Sequence, residues 1–165
     1  MNIFVLDKDP KLAAISLLDK HVVKMPLESA QMLCLAYPQG TAPYKGKMFK
    51  NHPCSKWTRE SKENYTWLIE HALALCDEYS YRYNKEHACR KVIAWCKDNM
   101  DQIEFAKEGL TPFFLACPDQ HKTEDAVQTY RNYYLVHKVY IGKWTRRDPP
   151  TWWNPKHEHT LGKQI

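Results

Sequence analysis

Glycine is scarce in this 165-residue sequence: five residues, none adjacent to another. No glycine-rich loop is available to cradle a phosphate, and neither a Gly-x-Ser-x-Gly elbow nor a His-Glu-x-x-His pair occurs. No apolar run approaches the ~20 residues that cross a bilayer, and Ile3-Phe4-Val5-Leu6 is too short for a secretion signal. An intracellular, cytoplasmic protein without membrane association is expected. Alternation of apolar and polar residues is missing, as are repeats and low-complexity tracts, which argues against sheets and solenoids. Cysteine occurs six times but never at paired spacing. Cys34, Cys54, Cys76, Cys89, Cys96 and Cys117 therefore read as free, mostly buried thiols. His87-Ala88-Cys89, Cys96 and Cys117-x3-His121 offer ligand types without ligand spacing, so neither a metal nor another cofactor is expected.

What remains describes one helical domain covering residues 1–165. Asp9-Pro10 is a helix start, with an N-cap acid and proline at the first helical position. Helix is expected from there to about Ala36, broken near Asp19 and kinked or restarted at Pro26. Residues 38–53, with three prolines and two glycines, read as a loop. A long helix is expected from Ser55 to Tyr83, another from Glu86 to Asp98, and a last one capped by Thr123 and running to about Trp144. The fold class is all-α, a single compact domain of four or five helices with a basic aromatic C-terminal tail. A monomer is expected rather than an oligomer.

Three places could carry chemistry. In the first expected helix pair, His21, Lys24, Glu28 and Gln31 fall at steps of three, four and three and so share one face. Their neighbours Val22, Val23, Leu27, Ala30, Leu33 and Cys34 are apolar. A carboxylate beside an amine and an imidazole can move a proton and stabilise a cation at one reacting centre; four polar residues are also what the solvated side of an amphipathic helix provides. The second place is Asn51-His52-Pro53, where His52 could reach a phosphate or a base edge, or simply cap the next helix. The third is the C-terminal fifth. From Arg131 onward seven Lys or Arg face two acids, a net of +5, which leaves residues 1–130 neutral overall. Arg131, Lys138, Arg146, Arg147 and Trp152 interleave cations with rings, a pattern suited to phosphates and unpaired bases.

At these places the chain resembles the pyrimidine-dimer DNA glycosylases, the endonuclease V class of UV-repair enzymes. Those enzymes carry a Leu-x-Asp-x-His segment and an essential Glu at the spacing of Asp19, His21 and Glu28. A His-containing turn before a central helix resembles His52, and a basic aromatic tail with Pro-Thr-Trp resembles Pro150-Thr151-Trp152. Uncharacterised phage and bacterial members are closer still, sharing the Lys-His-Val-Val-Lys-like helix, the Asn-His-Pro turn and the Cys117-Pro118-Asp119 segment. The resemblance implies an N-terminal α-amine that attacks the sugar C1′ to form an imine, with Glu28 stabilising the charge and driving elimination and His21 assisting. Asn2 is too large for efficient methionine removal, which assigns the amine to Met1. Leu27 and Gln31 stand where those enzymes flank the Glu with Arg.

The sequence thus points to a DNA N-glycosylase of pyrimidine-dimer or modified-base type, with or without abasic-site lyase activity. Glu28, His21, Lys24 and Met1 are its candidate catalytic residues. Gln31, His52, Arg131, Lys138, Arg146, Arg147 and Trp152 are its candidate contacts to double-stranded, damaged DNA. Lys20 or Lys24 as the amine, or water activated by Glu28, remain open. Two other classes stay open beside it: hydrolysis of the N-glycosidic bond of a free nucleotide, and a non-catalytic nucleic-acid-binding protein.

Overall fold

The computed structural model describes residues 1–155, so Lys156 and Lys163 of the expected basic tail lie outside the described residues. Six α-helices follow in chain order: α1 (Pro10–Ser16), α2 (Asp19–Cys34), α3 (Pro53–Thr58), α4 (Lys62–Tyr83), α5 (Arg90–Asp98) and α6 (Ala126–His137). Five of the six have seven residues or more, and no strand occurs among the described residues, as the all-α reading expected.

α1 begins where Asp9 accepts hydrogen bonds from the Lys11 and Leu12 amides at 2.8 and 3.1 Å, with Pro10 needing no donor there. α2 runs unbroken through the buried Pro26, so neither the restart nor the end at Ala36 is realised. The long helix expected from Ser55 is two helices. Asn64 turns back to bond the Trp57 carbonyl at 2.9 Å and both the hydroxyl and amide of Thr111. Ser61 then caps α4 by accepting from the Asn64 amide at 3.0 Å. Asp125, not Thr123, caps α6, and α6 stops at His137 rather than near Trp144, followed by a short 3₁₀ turn at Val139–Ile141. α5 starts at Arg90, four residues later than expected.

α4 is the axis, packed most extensively against α1 and α2. The N-terminal segment Ile3–Leu6 is fully inside, beneath Tyr130 and Tyr134 of α6. All six cysteines are free and five are buried.

The residues after α6 form a packed strap rather than a free tail. The Lys143 carbonyl accepts from the Asp19 amide at 2.8 Å, the Trp144 indole donates to the Ser16 carbonyl at 3.0 Å, and Thr145 bonds both carboxylate oxygens of Asp19. Asp19 also pairs with Arg82, which pairs with Glu78, which in turn holds Arg147. Gly142 is needed here because a Cβ would lie 2.5 Å from the Trp153 ring.

His71, buried in α4 and stacked on Trp67, donates from Nδ1 to the Pro10 carbonyl at 2.9 Å and so ties α4 to α1. Burial lowers its pKa to about 4, outweighing the opposing effect of that hydrogen bond. The unfolded chain therefore binds the proton first, and stability present above the ordinary pKa of 6.5 is lost as pH falls toward 4. Melting temperature is expected to drop over that window, with a shallower slope in His71→Gln; equal slopes in the two proteins would remove His71 from this role.

Candidate active site

α2 presents its polar stripe at the point where the chain begins. The α-amine of Met1 lies 3.3 Å from Oε1 of Glu28, and the Asn2 amide donates to the same oxygen at 3.1 Å. The other carboxylate oxygen faces Lys24 Nζ at 3.6 Å across one turn of α2. Glu28 is buried while the Lys24 side chain is 68% exposed, so the carboxylate is fixed and one of its cations is mobile in solvent.

What holds the amine in place is mostly Asn2. Its amide nitrogen donates to the Ala116 carbonyl at 3.0 Å, and its Oδ1 accepts from the Tyr130 hydroxyl at 2.8 Å and from the Ile3 amide at 2.8 Å. The Met1 side chain packs against the core. The terminus is thus clamped on both sides of the Met1 nitrogen. Sequence reasoning missed this clamp because Ala116 and Tyr130 lie over a hundred residues away.

His21 is buried two turns earlier on the same face of α2, stacked on Phe4 at 4.2 Å. Its Nδ1 is 2.6 Å from the Tyr134 hydroxyl, which also accepts from the Leu18 amide. That hydroxyl thus joins the Leu18 amide to the His21 ring. Burial, with Lys138 and Lys24 adding to it, lowers the His21 pKa to about 3. At neutral pH His21 is a neutral imidazole in a positively charged setting. Lys138, half-buried over the Tyr133 ring at 5.2 Å, has its own pKa lowered by burial and by Lys24.

His52 caps α3, its Nδ1 accepting from the Cys54 amide at 3.1 Å. Its pKa is lowered by partial burial and by the Met1 ammonium, against an opposing pull from Glu28, so it lies within the field of both. His52 is thus a cap, as one of the two readings of Asn51-His52-Pro53 had it. Gln31 lies one turn beyond Leu27 on the wall of a groove between α2 and the loop before α3.

The C-terminal cations are used mostly within the fold. Arg131 donates to the Leu6 carbonyl at 3.0 Å, pairs with Asp7 at 3.6 Å and lies over Trp152 at 5.3 Å. Arg146 donates to the Tyr81 carbonyl at 2.8 Å and stacks on that ring. Arg147 meets buried Glu78 with two nitrogens, at 2.5 and 2.9 Å. Trp152 is half-buried against Tyr134. His87, a candidate ligand by type, has one ring nitrogen at the Val23 carbonyl and the other accepting from the Cys89 amide.

A second set of cations, four exposed lysines and the half-buried Arg59, lies before α4. Residues 29–59 contain Lys45, Lys47, Lys50, Lys56 and Arg59 and no acid at all. The neutral net charge of residues 1–130 hid this run, which a sliding charge window would have found.

A family model described as pyrimidine dimer DNA glycosylase matches residues 1–91, just over half of the chain and the part that carries Met1, His21, Lys24, Glu28 and His52. No curated protein matches, and no solved structure does.

Proposed function

Since the chain belongs to the pyrimidine dimer DNA glycosylase family, with DNA as the substrate that family implies, we propose that it cleaves the N-glycosidic bond of the damaged nucleotide through an imine formed by the Met1 α-amine and then opens the strand. The observation that carries this reading is the Met1 nitrogen at 3.3 Å from a buried carboxylate oxygen of Glu28.

An α-amine is less basic than a lysine amine and is more readily free at neutral pH. Glu28 takes the proton from the ammonium. The freed nitrogen attacks C1′ of the damaged nucleotide, the C1′–N1 bond breaks, and Glu28 returns its proton to N1 of the pyrimidine. Ring opening of the sugar gives an imine between C1′ and Met1 and protonates O4′. Glu28, then an anion, stabilises the cationic imine. Removal of a C2′ proton expels the 3′ phosphate, and water releases the amine. Lys24, on the far carboxylate oxygen and largely in solvent, meets the adjoining phosphate charge, while His21 assists as a neutral imidazole.

The same geometry leaves Lys24 as the rival amine, at 3.6 Å from Glu28. Borohydride reduction during reaction with duplex DNA bearing a thymine dimer is expected to trap a covalent adduct that maps to Met1. An adduct on Lys24 reassigns the nucleophile. Glycosidic-bond cleavage without any adduct replaces the imine with water attack.

A further inference from the structure

The short helix α3 carries a line of polar side chains on one face. His52 at its N-cap, Lys56, and Arg59 at its C-cap fall at steps of four and three, one above another. Lys56 is exposed, as are Lys45, Lys47 and Lys50 in the loop that leads into the helix. None of these four lysines forms an ion pair among the described residues. Arg59 has no carboxylate partner among them either: its Nη2 donates to the Lys50 carbonyl at 2.7 Å, while Nη1 is enclosed and has no hydrogen-bond partner. Burial lowers the Arg59 pKa, with no acid opposing it. An enclosed donor without an acceptor is costly, and a phosphate oxygen is the kind of acceptor that a guanidinium takes best. A cation at the end of a helix also complements its dipole, but that accounts for none of the lysines in the loop.

This face adjoins the candidate active site. α3 packs against α2, and the open groove beside it is lined by Lys56, Trp57, Arg59, Phe113 and Phe114. Glu60, the acid among the groove's lining residues, is already engaged by Lys107 and by the Thr111 hydroxyl. The Phe114 carbonyl and Oδ1 of Asn2 both face the Tyr130 hydroxyl, at 3.1 and 2.8 Å. The wall of the groove and the residue after Met1 therefore meet at one atom.

We propose that duplex DNA is gripped through this face, with Lys56 and Arg59 on phosphates beside the damaged nucleotide and Lys45, Lys47 and Lys50 on the backbone beyond them. This rests on the glycosylase reading above. Residues 29–59 hold five cations and no acid, a balance that fits a polyanion. Arg131 and Arg147 of the C-terminal fifth, by contrast, already answer Asp7 and Glu78. Contacts to phosphate carry no sequence preference of their own; they fix the register in which the duplex is offered to the Met1 amine.

Fluorescence anisotropy of a labelled duplex bearing a thymine dimer, titrated with the full chain at several salt concentrations, tests this. Lys50→Ala/Lys56→Ala removes two exposed lysines, so the melting temperature is expected to hold. The slope of log affinity against log salt is expected to fall in magnitude by about two. Adding Arg59→Gln, which keeps a donor for the Lys50 carbonyl, is expected to lower it by about one more. Lys11→Ala/Lys97→Ala takes the same charge from a different groove, the one lined by residues of α1, α4 and α5. That control is expected to leave the slope within about half a unit of wild type. An unchanged slope in the Lys50/Lys56 variant, or an equal fall in the Lys11/Lys97 control, overturns the proposal. The expected slopes in a wild-type protein that cleaves no glycosidic bond would instead overturn the glycosylase reading alone.

Discussion

Glu28→Gln is expected to lower the single-turnover rate of glycosidic-bond cleavage in dimer-containing duplex by about 10³-fold. The substitution keeps the size of the side chain and both of its oxygen-side contacts to the Met1 and Asn2 nitrogens. What it removes is the negative charge and the proton acceptor. The ammonium then has no base at hydrogen-bond distance, and the imine cation has no fixed counter-charge. DNA affinity should hold or rise, because an anion facing a polyanion has been neutralised. Stability should change little, since the Lys24 partner is solvated and its pair weak. The discriminating pattern is a rate collapse at unchanged affinity and melting temperature. A rate within tenfold of wild type would show that the carboxylate near the amine only positions it.

Arg82→Met is expected to cost about 3–5 kcal/mol of folding free energy, or a melting-temperature drop of about 10 °C for a chain of this size. Arg82 is fully buried and donates to Asp19 at 3.0 Å, to Glu78 at 2.8 Å and to the Ile15 carbonyl at 3.0 Å. Removing it strands two buried carboxylates, one of them left with Thr145 and the other with Arg147. Asp19→Asn alone should cost less, because Thr145 can still be bonded. In the double variant the losses should be strongly non-additive, since one charge is then no longer orphaned. Urea titration of the four proteins measures this; a cost below about 1 kcal/mol for Arg82→Met would mean that water reaches the cluster.

The same cluster explains which parts of the molecule were readable from sequence. Local signals succeeded where the chain answers to its near neighbours: Asp9-Pro10 starts a helix because the cap is formed two and three residues on. They failed at residues 59–61, where helical spacing continues smoothly from Trp57 to Asn64 and only the distant Thr111 shows why the helix divides. The stripe His21, Lys24, Glu28 was legible as a face, but its meeting with the chain start was not, because nothing local says where residues 1–6 will pack. For the C-terminal cations, composition could not distinguish a guanidinium meant for phosphate from one that answers Glu78. Arg147 has a carboxylate partner 69 residues away.

Residues 1–91, the span shared with the family, include every group placed at the reacting centre and neither of the anchors that aim it. Ala116 and Tyr130, which grip Asn2, come from the remainder of the chain. Chemistry and aim are thus encoded in separate halves. A fragment ending at residue 91 would carry the proposed nucleophile and its base as a tool without a vice.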